Sequence, residues 1–486
     1  MLWILAVLTL ALVGNLTAEP RTWDLDGVAV REATSLQNSG GTATADDGSL
    51  FTVWARGDRE YAALYGQKLS PDGTRLWELN GRLLARGGTM GVDYPKIVFT
   101  GDGFLAVWMK LDMNNLSEEV VLLGDIRAMK YSLDGTPLWN DPEQDGVLLY
   151  DPGDESMREE LAICDDGAGG AFVHWRLYDQ WFLQRISQSG EVLWNPPAEL
   201  PSSSYWALYG LAADGSGHAF ASWYNNVGYY LQKYDGAGNA VWELPTLIVA
   251  EANFDRLLGS VTADGVGGAM VCWYDFRDYP QDAIYGQRID SNGQPVWNSA
   301  GLPLTVGSDV RNAVVAQSRS ANAVDGLLLA WRARPATLWD RVHAQKVTLG
   351  GEVLWSGDEL CPPDDPDTDQ SSARIASDLQ GGSVVGWFDN AFSPNATVRL
   401  TRVNAQGDRP WNGCAVTLVG PGGISSLYGM FVGVGGNDNV HALWSVRGRD
   451  DGIMWAAARD FDTGQAEAEP QRLDDQNVGT TSNPAH

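Results

Sequence analysis

The chain has 486 residues, of which 62 are acidic and 33 are basic, so its formal net charge is −29 at pH 7. A surface this acidic repels phosphate backbones and anionic lipids, so we expect nucleic acid and anionic membranes to be poor partners. The four cysteines are too few to be the main scaffold of a chain long enough to bury its own core.

The N-terminal segment has the pattern of a secretory signal peptide. Residues 2–13 form an uncharged apolar run, and small and polar residues follow from Gly14 to Ala18. No later apolar run is long enough to span a bilayer. We therefore predict that residues 1–18 are a signal peptide and that the protein is exported, either to the extracellular space or to the periplasm.

Sixteen of the 21 tryptophans form two interleaved ladders of eight. The first ladder is Trp54, Trp108, Trp175, Trp223, Trp273, Trp331, Trp387 and Trp444. The second ladder is Trp23, Trp77, Trp139, Trp194, Trp242, Trp297, Trp355 and Trp411. An aromatic residue that returns roughly every 55 positions indicates one structural unit repeated around the molecule.

Each repeat carries further fixed positions. In seven units a glycine stands four residues before the second-ladder tryptophan. In the eighth unit the glycine is Gly464, and Ala468 stands where the tryptophan would be. Five residues before each glycine stands a basic residue, and we expect its stem to pack between neighbouring units. This basic ladder is Lys68, Lys130, Arg185, Lys233, Arg288, Lys346, Arg402 and Arg459.

Alternating apolar residues and Asn-Gly or Asp-Gly turns divide each unit into four short strands. In unit five, the second strand ends at Trp273, and the turn at Asn292 and Gly293 leads into the fourth strand. Eight such units without a helical period predict an all-β, eight-bladed β-propeller, with a seven-bladed ring as the alternative. We expect residues 19–475 to form this single domain, with the segment around Trp23 completing the last blade, and residues 476–486 to form a tail.

The repeat motif Tyr-x-Gln-Arg-Ile-Asp-x-x-Gly-x-x-Leu-Trp resembles that of secreted bacterial β-propeller repeat proteins. The resemblance covers nearly all of the chain after the signal peptide and implies the same fold and an exported protein. More distantly, the repeat is similar to that of quinoprotein-like propellers. Because no adjacent cysteine pair is present, we expect no quinone cofactor.

Loops of variable length are predicted on one face of the ring. They join the second strand of each unit to the third, and together with the connections between units they form what we call the variable face. Aromatic side chains outside the two ladders fall there, and exposed rings of this kind stack on sugars or anchor partner side chains. The candidate ligand-binding residues are Tyr178, Trp181, Trp206, Tyr274, Phe276 and Trp339.

Two functional hypotheses fit this pattern. The favoured one is a non-catalytic binding module, monomeric, that takes a glycan or protein ligand on the variable face. The alternative is a polysaccharide-degrading enzyme, a glycoside hydrolase or lyase, that uses a pair of carboxylates. Its candidate catalytic residues are Asp275, Asp278, Asp282 and Asp389.

The sequence gives only weak evidence for a metal site or for a disulfide. Asp365, Asp367 and Asp369 alternate as in a calcium loop, but the glycine and the distal glutamate of that motif are missing. An acidic surface loop is the preferred interpretation, so we expect no cofactor, with a structural calcium ion as the alternative. We expect Cys164 and Cys272 to be reduced, whereas a disulfide between Cys361 and Cys414 is left open.

Overall fold

A computed structural model gives the fold of the chain. It describes residues 28–29, 37–38, 41–56, 63–71, 74–78, 81–87, 91–111, 124–141, 145–153, 157–177, 180–201, 210–225, 228–250, 260–275, 277, 283–305, 310–321, 323–334, 339–355, 359–363, 367–391, 396–411, 413–419, 426–435, 439–447 and 452–465. Over these residues the regular structure consists of β-strands. The described part of the chain has no helix that is long and apolar enough to cross a membrane.

The strands are short and follow one another in a repeating order. The first sixteen are β1 (Val28–Ala29), β2 (Gln37–Asn38), β3 (Thr42–Thr44), β4 (Leu50–Arg56), β5 (Ala63–Leu69), β6 (Arg82–Arg86), β7 (Gly91–Phe99), β8 (Gly103–Leu111), β9 (Gly124–Ser132), β10 (Val147–Tyr150), β11 (Met157–Asp165), β12 (Ala171–Leu177), β13 (Gln180–Ile186), β14 (Ala198–Leu200), β15 (Gly210–Ala213) and β16 (Ala219–Asn225). The remaining sixteen are β17 (Gly228–Tyr234), β18 (Thr246–Ala250), β19 (Ser260–Ala263), β20 (Ala269–Asp275), β21 (Ala283–Ile289), β22 (Leu302–Pro303), β23 (Val310–Ser320), β24 (Ala323–Ala333), β25 (Arg341–Thr348), β26 (Gln370–Ser377), β27 (Ser383–Asp389), β28 (Thr397–Val403), β29 (Val416–Val419), β30 (Ser426–Val434), β31 (Asn439–Arg447) and β32 (Gly452–Asp460).

These strands form eight antiparallel sheets, which are the blades of a β-propeller. Blade 1 contains β3 to β6, with β2 added beside β4, and blades 2 to 5 each contain the next four strands in order. Blade 6 contains β23 to β25, and a bridge between His343 and Glu359 occupies the place of its fourth strand. Blade 7 contains β26 to β29. The structure therefore confirms the eight-bladed prediction over the seven-bladed alternative.

The last blade joins the two ends of the domain. Its strands β30, β31 and β32 come from the C-terminal part of the chain, and its fourth strand is β1. Val28 pairs with Ala456 and Ala29 pairs with Trp455. Without β1, the outer edge of β32 would be unpaired, and an unpaired edge is open to other strands.

The first strand of every blade lies innermost. These eight strands are β3, β7, β11, β15, β19, β23, β26 and β30, and each contacts its neighbours on both sides so that they close a ring. The first-ladder tryptophans lie in the second strands and are almost fully buried between blades. Each ladder residue therefore packs the same part of its blade, which explains why the spacing recurs.

The second ladder joins each blade to the next one. The Trp139 indole of blade 2 donates to the Gln188 carbonyl of blade 3, with Nε1 and O 2.8 Å apart, and its ring covers Gly190. Gly190 has φ of 85°, and a Cβ there would come within 2.7 Å of the Trp139 ring. The glycine is required both by this backbone angle and by the contact.

The basic ladder forms a second link between blades. Arg288 pairs with Asp264 in the first turn of its own blade at 2.9 Å and donates to the Leu349 carbonyl of the next blade at 3.1 Å. Each of the other described members of this ladder in blades 2 to 7 pairs with a carboxylate of its own blade and donates to a backbone carbonyl of the next blade. They are Lys130, Arg185, Lys233, Lys346 and Arg402. These residues are scaffold, because the link recurs in blades that carry different loops.

One disulfide is present among the described residues. It joins Cys361, in the fourth-strand position of blade 6, to Cys414, just before β29 of blade 7. Cys164 and Cys272 are free thiols. Burial raises the pKa of both thiols, which keeps them protonated and unreactive.

Candidate functional site

The antiparallel order of the strands gives the ring two different faces. The turns between strands 1 and 2 and between strands 3 and 4 lie on one face, which we call the turn face. The loops between strands 2 and 3 and the connections between blades lie on the variable face, as the sequence predicts. The candidate residues Tyr178, Trp206, Phe276, Asp278, Asp282 and Asp365 lie outside the described residues.

Asp275 stands at the end of β20 and is almost fully buried. Its carboxylate accepts hydrogen bonds from the Trp273 indole at 3.0 Å and from the Arg277 side chain and amide. Burial alone would raise the pKa of Asp275, but the hydrogen bonds from Arg277 and Trp273 outweigh it and hold the pKa below its ordinary value. The group is therefore a fixed anion that anchors a loop arginine, and this environment is unsuited to a proton donor.

Asp389 occupies the equivalent position in blade 7. Its carboxylate accepts hydrogen bonds from the Trp387 indole at 2.9 Å, from Gln370 at 3.1 Å and from Arg399 at 3.3 Å. Arg399 also lies 3.4 Å from the Cys361 sulfur of the disulfide. Asp389 thus belongs to a buried polar network that joins blades 6 and 7.

The pairing of tryptophan with aspartate has a simple origin. Residues i and i+2 of a strand lie on the same face, so an aspartate two positions after a first-ladder tryptophan meets its indole N–H group. Five ladder residues without such an aspartate have buried indole N–H groups that contact no acceptor in the described part of the chain. They are Trp54, Trp108, Trp175, Trp223 and Trp444.

Two of the candidate aromatic residues are buried, so the expectation that their rings are exposed is wrong. Trp181 lies in β13, is 2% exposed, and stacks on His174 with ring centroids 5.2 Å apart. Tyr274 lies in β20, is 7% exposed, and its hydroxyl accepts a hydrogen bond from the Ala313 amide at 2.9 Å. In both blades the strands extend further than the sequence indicated, which takes these residues out of the loops.

Trp339 is the remaining candidate aromatic, and it is partly exposed on the variable face. It lies in the loop between β24 and β25 of blade 6, and its indole donates to the exposed Asp367 carboxylate at 3.3 Å. Asp367 belongs to the connection into blade 7. The ring therefore stands at the seam between blades 6 and 7.

The backbone under Trp339 is held on both sides of that seam. The Asp340 amide donates to the Asp369 carboxylate at 2.8 Å, and the Gln370 amide donates to the Asp340 carbonyl at 3.1 Å. Arg341 donates to the Thr368 carbonyl at 2.7 Å. These bonds fix the backbone next to Trp339, at Asp340 and Arg341 of blade 6, onto residues 368–370 of the connection into blade 7.

Charged groups surround the ring. The buried Asp340 carboxylate pairs with Arg332 at 3.2 Å and with Arg334 at 2.9 Å. Asp367 and Asp369, which the sequence offered as calcium ligands, contact the Trp339 indole and the Asp340 amide. No cluster of three or more metal-ligating side chains occurs within the ranges that the structure describes.

A cleft lies on the opposite face, the turn face. It has a volume of about 380 Å³ and is lined by residues of blade 3 that include Asp166, Arg185 and Gln188. Asp166 accepts two backbone amides and the Arg185 guanidinium, and Gln188 donates to Asp102. The polar groups of this cleft are engaged by the scaffold contacts of the basic ladder.

Comparison with known proteins gives no family for the chain. No family model matches the chain, and no curated protein matches it. Among solved structures, the chain is similar to prolyl oligopeptidase B from Galerina marginata, with 12% identity and a TM-score of 0.43 over 90% of this chain and 51% of the other. The chain thus spans about half the length of that peptidase.

Two other similar structures are covered almost completely. One is a protein of unknown function from Dyadobacter fermentans, with 12% identity and a TM-score of 0.40, over 90% of this chain and 97% of that one. The other is the polysaccharide lyase Uly1, with 10% identity and a TM-score of 0.41, over 90% of this chain and 92% of that one. Likenesses this distant carry no argument about activity.

Proposed function

We propose that the protein is an exported, non-catalytic binding module that holds a neutral glycan against Trp339 on the variable face. The observation that carries this proposal is the placement of a partly exposed tryptophan over a seam that is fixed from both sides. A flat aromatic surface of this kind stacks on the apolar face of a sugar ring. The module needs no cofactor for this function.

The rigid support matters for affinity. Because the Trp339 loop is tied to residues 367–370, binding would cost little of the ordering entropy that a mobile loop loses. The disulfide between Cys361 and Cys414 restrains the same pair of blades. An aromatic ring whose position is fixed before the ligand binds is the arrangement expected of an interface anchor.

The charges around the ring favour a neutral ligand with many hydroxyl groups. Asp367 and Asp369 offer carboxylate oxygens that accept hydrogen bonds from hydroxyls, while Arg334 supplies donors nearby. The strongly acidic chain as a whole disfavours an anionic glycan at this surface. A protein ligand is the other occupant to be tested.

The use of the carboxylates supports binding over catalysis. Asp275 and Asp389, which would form the acid and base of the enzyme hypothesis, are both buried against arginine and tryptophan side chains. A catalytic acid needs a pKa near the working pH and access to substrate. In the described part of the variable face, neither of these carboxylates meets both conditions.

The test is a glycan array and a panel of polysaccharides, followed by calorimetric titration of the glycan that binds. We expect Trp339→Ala to weaken binding by about 2 kcal/mol, or about thirtyfold, without lowering the melting temperature. The matched control is Val266→Ala, a change at a 64% exposed residue on the turn face, which we expect to leave affinity unchanged.

The same experiment separates the alternatives. Turnover of any polysaccharide that is lost in Asp278→Asn or Asp282→Asn would establish the enzyme hypothesis. Binding that is unaffected by Trp339→Ala would contradict the proposed site, whatever the ligand.

A further inference from the structure

The disulfide between Cys361 and Cys414 has two unequal ends. Cys361 of blade 6 is fully buried, whereas Cys414 of blade 7 is partly exposed. A thiolate that attacks a disulfide must reach one of the two sulfur atoms, so access selects the sulfur that is attacked. A thiol in solvent therefore meets Cys414 first, and Cys361 becomes the leaving group.

A cation lies beside the sulfur that would leave. The Arg399 guanidinium is buried, and its Nη2 donates to the Cys361 sulfur at 3.4 Å while its Nη1 pairs with Asp389 at 3.3 Å. A cation next to a thiol lowers the pKa of that thiol, and a leaving thiol of lower pKa departs faster. Arg399 is thus in place to stabilise the negative charge that forms on Cys361 when the bond breaks.

The contact with sulfur distinguishes Arg399 from the arginine at the same strand position of blade 2. Arg127 pairs across the sheet with Trp108, as Arg399 pairs with Trp387. The guanidinium of Arg127 binds the carboxylates of Asp125 and Asp145. Blade 2 therefore supplies a matched control, in which an arginine at the equivalent position stabilises carboxylates alone.

One glutamine joins the disulfide to the backbone beside Trp339. Gln370 is fully buried, and its Nε2 donates to the Cys361 carbonyl at 2.9 Å and to the Asp389 carboxylate at 3.1 Å. The amide of Gln370 donates to the Asp340 carbonyl at 3.1 Å, and Asp340 follows Trp339 in the chain. A displacement of Cys361 or of Asp389 is therefore passed to the seam under Trp339.

We propose that this disulfide is a site of reversible thiol–disulfide exchange with a dithiol, which attacks Cys414 while Arg399 stabilises the Cys361 thiolate, and that reduction loosens the seam under Trp339. In the first step, a thiolate of the dithiol bonds to the Cys414 sulfur. The bond between the two cysteines breaks, and its electron pair goes to Cys361.

The second step releases the reductant. The other thiol of the dithiol loses its proton to solvent and attacks the sulfur that its own molecule has bound to Cys414. Cys414 leaves with the electron pair and takes up one proton. The dithiol is thereby oxidised to a disulfide, the protein gains two thiol groups, and one of the two protons of the dithiol stays in solvent while Cys361 remains a thiolate.

Reduction changes the contacts of the seam. The Cys361 thiolate competes with the Asp389 carboxylate for the Arg399 guanidinium, and blades 6 and 7 lose their covalent link at this point. The backbone beside Trp339 is then held less firmly. The loss of ligand affinity that would follow rests on the proposed function, whereas the exchange step does not depend on it.

The first test locates the attack. The unchanged protein is treated with limiting reduced glutathione, a monothiol that stops at the mixed disulfide, then quenched with acidic N-ethylmaleimide, digested and analysed by mass spectrometry. We expect glutathione on Cys414 and the maleimide on Cys361. Glutathione mainly on Cys361, equally on both, or on neither under conditions in which the unfolded protein reacts would overturn the proposal.

The second test addresses Arg399. Reduction by dithiothreitol is followed with the same quench, below the melting temperature of each variant. We expect Arg399→Met to slow reduction about tenfold, Arg399→Lys to keep most of the rate because it retains a cation, and Arg127→Met to be reduced at the unchanged rate. A rate in Arg399→Met that equals or exceeds that of the unchanged protein would contradict the role of Arg399.

A purely structural role for Arg399 would leave the ionisation of Cys361 unchanged. In Cys414→Ser, the ultraviolet absorbance of the thiolate reports the pKa of Cys361, which we expect to lie below the ordinary value for a thiol. Adding Arg399→Met to this variant should raise that pKa. An ordinary or raised pKa in Cys414→Ser alone would refute the stabilised thiolate, even if the arginine variant does not fold.

Hydrogen exchange tests the link to Trp339. We expect reduction of the unchanged protein to increase exchange in residues 339–342 and 367–370 and to leave β19 to β21 of blade 5 as they were. Equal exchange in the oxidised and reduced proteins would show that the disulfide does not control the seam. Faster exchange at the seam in a protein that binds no glycan in either state would support the exchange site and count against the proposed function instead.

Discussion

Two seams of the ring are built in different ways. The seam between blades 6 and 7 has the disulfide of Cys361 and Cys414 at its outer side. At its inner side, the backbones of β23 and the turn after β26 are hydrogen-bonded to each other, with Ala321 donating to Leu379 at 2.8 Å. Covalent and backbone bonds therefore fix this seam independently of side-chain packing.

The seam between blades 8 and 1 relies on apolar contacts. Leu50, Trp54 and Leu69 of blade 1 pack with Leu443 of blade 8, and Asn439 donates to the Pro71 carbonyl at 3.2 Å. Blade 8 itself is completed by the two-residue strand β1. The difference indicates that the seam between blades 6 and 7, where the candidate ligand surface lies, is cross-linked by the disulfide, and we call it the stapled seam. The seam between blades 8 and 1 instead closes the ring with segments from both ends of the chain.

Deletion of residues 19–30 should have the largest effect. It removes β1 from the edge of blade 8 and exposes β32, so we expect the free energy of unfolding to fall by about 4 kcal/mol or more. Denaturant unfolding followed by tryptophan fluorescence measures the change. Deletion of residues 472–486 is the control and should be nearly silent. Equal losses in the two truncations would show that β1 does not close the ring.

Removal of the disulfide between Cys361 and Cys414 should have the next largest effect on the free energy of unfolding. The disulfide closes a loop with a sequence separation of 53, and cross-links of this size typically contribute about 3 kcal/mol by restricting the unfolded chain. We expect the double change Cys361→Ala and Cys414→Ala to cost about that much in denaturant unfolding. The control is Cys272→Ser, which removes a free thiol and keeps the disulfide, so reductant should destabilise this variant as much as the unchanged protein. The double variant should not respond to reductant.

A second measurement tests where the staple acts. Glycan affinity at Trp339 should fall in the cysteine double variant, because the seam under the ring is loosened. Unchanged affinity in a destabilised variant would show that the disulfide does not support the ligand surface at Trp339.

The sequence predicts the repeat of the fold better than the loops. The tryptophan and glycine spacings are fixed by contacts that recur between the described blades, as Trp139 on Gly190 illustrates, so the spacings can be recognised in a single sequence. The ends of strands are not fixed in this way. Tyr274 pairs with Ile284 and Trp181 pairs with Leu200, so backbone pairing continues past the ladder and buries residues that were assigned to loops.

The features of the candidate site also differ in how far the sequence predicts them. The role of Asp275 follows from its position two residues after Trp273, a signal that alternation along a strand could have revealed. The pairing of Cys361 with Cys414 could not be derived, since it depends on the distance between two outer segments of neighbouring blades.

A change in the basic ladder should have a smaller effect at the stapled seam. Lys346 pairs with Asp325 and donates to the Gly381 carbonyl of blade 7, with both contacts at 2.7 Å. We expect Lys346→Met to cost about 2 kcal/mol in unfolding free energy, because Asp325 is one-third exposed and stays partly hydrated when it loses its partner.

The matched comparison is Arg288→Met, which leaves the Asp264 carboxylate fully buried. We expect this variant to be the less stable of the two. Equal stabilities would indicate that the cross-blade carbonyl bond, and not the buried carboxylate, sets the cost.

Mild acid should give the smallest effect, and it should weaken the closing seam in particular. His441 of β31 is fully buried beside Gly435, and a Cβ on Gly435 would touch Gly48 of blade 1. Burial lowers the pKa of His441 to about 4. The unfolded chain takes up this proton at about pH 6.5, so between pH 6.5 and 4 the unfolded state binds more protons and stability falls as the pH falls. At pH 5.5 this one residue should cost about 1 kcal/mol relative to neutral pH.

Hydrogen exchange at pH 7.5 and pH 5.5, corrected for the intrinsic pH dependence of exchange, distinguishes local from global weakening. We expect protection to fall first in β30 and β31, while β23 and β26 at the stapled seam keep theirs. His441→Gln removes the titrating group and should flatten the pH dependence of unfolding by about the same 1 kcal/mol. His174→Gln is the matched control, since burial also lowers the pKa of His174 to about 4 but that residue lies in blade 3, away from both seams. If the two variants changed protection of β30 and β31 alike, acid would be acting on the whole ring and the contrast between the seams would not hold.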